Sequence, residues 1–91
     1  MLTVKMVVDR ADMLRVKFFA SVRERVGISE MEIPWTEGMS VMRALQDIES
    51  ALNLTLRGQH LLAARNHQHV AFNEVLADGD ELAFFPPVTG G

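Results

Sequence analysis

The chain runs out on Phe84-Phe85-Pro86-Pro87-Val88-Thr89-Gly90-Gly91, and its last two residues are suited to acyl chemistry. A terminal diglycine offers an α-carboxylate as a reagent with no side chain crowding it. Glycine lacks a Cβ, so this end can enter a channel too narrow for other residues and take whatever φ and ψ the channel demands. Pro86 and Pro87 hold φ near −65° and have no N–H to donate, so they end the preceding strand and keep the chain extended. From Pro86 to Gly91 the tail could reach roughly 18–20 Å at about 3.1–3.3 Å per residue. The expected reactive group is therefore the Gly91 carboxyl, with Pro86, Pro87, Val88, Thr89 and Gly90 as the threading segment. An ordinary frayed terminus does not require two prolines for stiffness and two glycines for passage.

Composition narrows the chemistry further. At 91 residues the chain is one domain with a single modest core. A formal charge of −3 argues against nucleic acid or an anionic membrane as partner and fits docking to a basic protein surface. The apolar runs are too short to span a bilayer, and the first residues lack a signal-peptide h-region; the expected location is the cytoplasm. There is no cysteine, hence no disulfide, thiolate nucleophile or zinc–thiolate site. Any sulfur chemistry must run through a group other than a thiol side chain.

Two further clusters have metal-binding residue types. His67 and His69 place two imidazoles on one side of a strand, with His60 nearby in sequence, but zinc wants a third ligand and a supporting shell. They read as surface histidines. Asp78, Asp80 and Glu81 lack the ligand series of a calcium loop and read as turn chemistry. No metal site is expected.

The elements that must position the tail follow from pattern. Residues 13–20 alternate as a half-buried strand, with Val16 and Phe18 on one face and Arg15, Lys17 and Phe19 on the other. Ser21-Val22-Arg23-Glu24 has the form of a capping box opening a short helix that Gly27 stops. Residues 28–35 read as a second strand that Pro34 ends. Ser40 is a good N-cap for a helix to about Leu52, its apolar stripe being Val41, Leu45, Ile48 and Leu52. Residues 60–66 and 68–72 read as short strands, 76–80 as a turn with Gly79 at its tip, and 81–85 as the closing strand. Helix segregated from sheet gives an α+β domain over 13–85. The expected organisation adds a disordered extension at 1–12 and the extended tail at 86–91.

The run Val16-Lys17-Phe18-Phe19-Ala20 with Arg23, Glu24 and Gly27, then Leu61-Leu62-Ala63-Ala64 with Asn66, and above all the stretch from Asp78 to Gly91 resembles the small subunits of molybdopterin synthase, which are ubiquitin-like β-grasp sulfur carriers. The resemblance covers essentially 13–91. The first twelve residues have no counterpart in that pattern, and Arg65 stands where family members often have an apolar residue. What the resemblance implies is a mixed sheet with one main helix packed across it and the first and last strands as neighbours. Phe19 and Phe85 would then share an exposed face beside the tail, with His69 on the same face, as an anchor for a partner.

The implied chemistry begins with an E1-like enzyme that uses ATP to convert the Gly91 carboxylate to an acyl-adenylate. A persulfide donor turns this into a thiocarboxylate. The tail then enters the large synthase subunit, in a heterotetramer, and gives its sulfur to precursor Z (cyclic pyranopterin monophosphate); two transfers make the dithiolene of molybdopterin. The carrier binds no cofactor itself and is not catalytic alone. Three alternatives stand beside this reading. One is a thiamine-type sulfur carrier, against which Phe84-Phe85-Pro86-Pro87-Val88-Thr89 argues. The others are a ubiquitin-like modifier that forms isopeptide bonds through Gly91, and an interaction module whose diglycine is incidental.

Overall fold

Alternating residues on the first strand send Leu14, Val16 and Phe18 into the core, and the rest of the architecture is built on that side. The computed structural model describes residues 12–57 and 60–87. Apart from Asp12, the extension expected to be disordered lies outside the described residues, as do Val88, Thr89, Gly90 and Gly91. The elements are β1 (Met13–Phe18), α1 (Ala20–Val26), β2 (Glu30–Pro34), α2 (Val41–Leu52), β3 (Leu62–Arg65), β4 (Gln68–Val70) and β5 (Glu81–Phe85). They form a mixed sheet in the order β2-β1-β5-β3-β4. The central pair, β1 and β5, is parallel, and the other pairings are antiparallel. A parallel pair needs a long crossover, and the whole middle of the chain, α2 included, supplies it. This is the α+β, β-grasp architecture.

The core joins one face of the sheet to α2. Leu14, Val16, Phe18, Ile33, Ala63, Leu82 and Phe84 come from the strands, and Val41, Ala44, Leu45 and Ile48 from the helix. The stripe read from sequence holds, with Leu52 packed at its edge. Ser40 caps α2, its Oγ accepting the Arg43 N–H at 3.1 Å. Asn53, at φ 56°, closes the helix in the left-handed conformation.

The helix hides one feature that the pattern did not reveal. Glu49, on α2, is buried among apolar residues. Its Oε2 accepts the backbone N–H groups of Leu56 and Arg57 at 2.7 and 2.8 Å, and Oε1 accepts from the Arg57 Nε at 2.9 Å. Burial alone would raise its pKa, but these donors and the Arg57 charge prevail and hold it below its ordinary value. The carboxylate ties the segment after α2 to the helix and seats Leu56 in the core.

Other boundaries differ from expectation. The capping box at Ser21 does not form: Phe19 is the N-cap of α1, with no side-chain cap bond. The β1–β5 ladder continues one residue further, Phe19 N–H donating to the Phe84 carbonyl at 3.2 Å. The Phe19 carbonyl then accepts from Val22 and Arg23, so the helix opens directly off the strand and Ser21 falls inside it. The strand expected at 68–72 stops at Val70. Beyond it the Phe72 and Glu74 carbonyls accept the Met42 and Val41 N–H groups at 2.8 and 2.9 Å. The segment serves the α2 N-terminus instead of the sheet.

Candidate functional site

The tail leaves from the centre of the sheet. β5 lies between β1 and β3, and Phe85 is followed by Pro86 and Pro87, both half-buried. The start of β5 is held by side chains. Asn66 accepts the Glu81 N–H through its amide oxygen at 2.9 Å and donates its amide to Asp80 at 2.9 Å. Asp80 also accepts the Ala77 N–H at 2.8 Å. The Asp78 carboxylate accepts the N–H groups of Asp12 and Met13. The acidic run is thus turn chemistry, which fastens the strand that carries the tail. Arg65 belongs to the same fastening, donating to the Val75 carbonyl at 3.0 Å and pairing with Glu74 at 3.2 Å.

Strand register maps the face that α2 does not cover into three rows. The row furthest from the tail is Glu32, Arg15 and Glu81. The middle row is Glu30, Lys17, Ala83, Ala64 and His69. The row where the tail emerges pairs Phe85 with Leu62, and Phe19 extends it on the β1 side. This outer face is apolar near the tail and charged at the far end.

Each candidate named from sequence can be placed on this map. Phe19 is 48% exposed. Phe85 is half-buried and His69 exposed, their rings meeting edge-on at 5.3 Å between centroids. His67, in the β3–β4 turn, is exposed and lies at the far row, its Nε2 3.4 Å from Glu81. Among the described residues no group of three or more His, Asp or Glu side chains could hold a metal ion, and no helix is long and apolar enough to cross a membrane. Sequence reasoning missed Leu62, Ala64 and Ala83 as floor of this face. The run Leu61-Leu62-Ala63-Ala64 is apolar throughout, so it carries no alternation from which a phase could be read.

A family model described as the ThiS family matches residues 16–91. The chain belongs to the ThiS family. Among its relatives, the molybdopterin synthase sulfur carrier subunit of Escherichia coli is 47% identical over 83 residues, spanning 87% of this chain and 100% of its own length. The protein of the same description from Haemophilus influenzae is 37% identical, again over 87% of this chain and its entire own length. Among solved structures, the small archaeal modifier SAMP1 from Haloferax volcanii superposes with a TM-score of 0.73 at 31% identity, covering 87% of this chain and 99% of that one. The ThiS-family match spans the strands from Val16 onward and the tail. It begins at Val16 and so leaves the N-terminal extension outside.

Proposed function

We propose that this chain is the sulfur-carrier subunit of a molybdopterin synthase, active through its Gly91 carboxyl group. The observation that carries this reading is the match to the Escherichia coli sulfur carrier subunit along that protein's full length, together with the diglycine end. An E1-like enzyme forms the Gly91 acyl-adenylate from ATP, which turns a poor leaving group into a good one. The terminal sulfur of a persulfide donor attacks the adenylate carbonyl and expels AMP. A thiol reductant then cleaves the S–S bond of the resulting acyl disulfide, leaving the thiocarboxylate and a mixed disulfide on the donor. Its sulfur is a strong nucleophile near neutral pH, which suits a chain with no cysteine. The large subunit docks on Phe85, Phe19 and His69 while residues 86–91 thread into its channel toward precursor Z. General acid and base groups come from that subunit, and the ATP-dependent activation places the cycle in the cytoplasm.

The likeness to SAMP1 favours a second reading, in which Gly91 forms isopeptide bonds with lysines of other proteins. One experiment addresses both. The chain is incubated with the activating enzyme, ATP and a persulfide donor, its intact mass is read, and molybdopterin formation is assayed with the large subunit and precursor Z. The expected result is one S-for-O exchange at the terminus and product formation. Removing Gly91 should abolish both, because the carboxylate then falls about 3.3 Å short of the adenylating centre, while the melting temperature stays unchanged. Product formed by the truncated chain would overturn the carrier reading; whole-chain additions to other proteins without sulfur exchange would favour the modifier.

A further inference from the structure

We infer that Lys17 is the residue by which the docking face selects its partner, and that the partner presents a carboxylate to it; this rests on the docking reading above. Lys17 is the full positive charge in the middle row, between Glu30 on β2 and Ala83 on β5. Two positions further along the chain, just past the end of β1, is Phe19, and the apolar row begins there. A partner that covers Phe85, Leu62 and His69 must also cover Ala83 and Ala64, which brings it over the lysine.

The lysine is poorly provided for when that happens. Among the described residues its ion pair is with Glu81, and the Nζ–Oε2 separation of 3.7 Å is longer than a hydrogen bond. Glu81 is also shared with Arg15 at 3.9 Å and His67 at 3.4 Å. One carboxylate therefore serves two permanent cations and an imidazole. In the free chain water supplies what is missing, since the Lys17 side chain is 34% exposed. Under a partner that water is removed, and an ammonium group whose ion-pair acceptor among the described residues is distant and shared is costly to cover. An acidic side chain across the interface supplies the acceptor, and a partner without one is rejected. Arg15 is the weaker candidate. It lies in the row furthest from the tail with its side chain 51% exposed, and stays hydrated at the rim.

The test is equilibrium binding of the full chain to the molybdopterin synthase large subunit at low and high salt, for the parent, Lys17→Met, Lys17→Glu and Phe85→Ala. Lys17→Met should weaken binding about tenfold and flatten its salt dependence, and Lys17→Glu should weaken it about 100-fold. Lys17→Met should melt close to the parent, because the Lys17–Glu81 pair is solvent-screened. Lys17→Glu, set opposite Glu30, should melt somewhat lower but remain folded. Reversing one acidic residue of the large subunit to lysine should restore binding of the Lys17→Glu chain. Parent-like affinity of both Lys17 variants alongside a weakened Phe85→Ala overturns the inference and leaves the docking face standing. Parent-like affinity of all three removes the docking face as well. Weakened Lys17→Glu binding that no reversal restores overturns the carboxylate assignment.

Discussion

Phe84 and Phe85 are neighbours on one strand with identical side chains, yet the two faces of the sheet give them different work. Phe84 is fully buried and stacks on Phe72 at 6.2 Å between ring centroids. Phe85 points to the other side, half-buried, and meets only the edge of His69 among the described rings. Strand alternation separates them, but it does not say which side is which. That is set by α2, which covers the inner face with Val41, Ala44, Leu45 and Ile48 and, among the described elements, leaves the outer one uncovered. The same apolar ring stabilises the fold on one face and remains available to a partner on the other.

Substitutions test this division directly. The largest effect is expected for Phe84→Ala, which leaves a cavity in a closed core and should cost about 3–5 kcal/mol in denaturant unfolding, a large share of a small domain's stability. Phe85→Ala should cost the isolated chain less than about 1 kcal/mol while weakening association with the large subunit by about 2 kcal/mol. Equal unfolding losses for the two variants would mean the faces are not distinct.

Glu49→Gln sharpens the comparison from the inner side, where a polar group is tolerated only because its acceptors are filled. The variant keeps one acceptor oxygen and loses the charge, so a loss of about 1–2 kcal/mol is expected near neutral pH. The sign of the pH effect follows from the folded pKa lying below the ordinary value of 4.5. The stabilisation is present above that ordinary value and is lost as pH falls through the folded one. The gap between parent and variant should therefore narrow in acid melts below about pH 4.5; a gap that is constant down to pH 2 would refute the charge as its source.

The smallest effect concerns the hairpin that brings His69 to Phe85. Asn66 and His67 have φ of 51° and 74°, the two-residue turn with positive φ at both central positions. Glycine suits the second of these better than histidine, so His67→Gly should stabilise by about 0.5 kcal/mol, the exposed His67–Glu81 contact being worth little. Partner affinity should stay within twofold. A marked loss of affinity would show that His67 itself belongs to the docking face.

Much of this was legible from residues alone. The limits of β5, the α2 stripe and its Ser40 cap were all carried by local signals: alternation, helical period and a side-chain oxygen at the right spacing. The misreadings share one cause. Ser21 had the composition of a cap, but a ladder bond from Phe19 to Phe84 moved the helix start. Residues 71 and 72 had strand composition, but the unsatisfied N–H groups of α2 recruited that segment. Glu49 drew no reading from the sequence, because its donors, Leu56 and Arg57, lie beyond the end of the helix.

The sequence by itself determined the class of the fold and, for the proposed carrier, the expected reagent. The absence of cysteine and the run Pro-Pro-Val-Thr-Gly-Gly suit the proposed carboxyl reagent on a thin tether, because glycine and proline act through their own backbone constraints. Tertiary structure alone decided which residues share the outer face with the end of β5. Register across three strand pairings set Lys17 beside Ala83, Ala83 beside Ala64 and Ala64 beside His69. These residues lie far apart along the chain, and only hydrogen bonding between strands fixes which of them stand together.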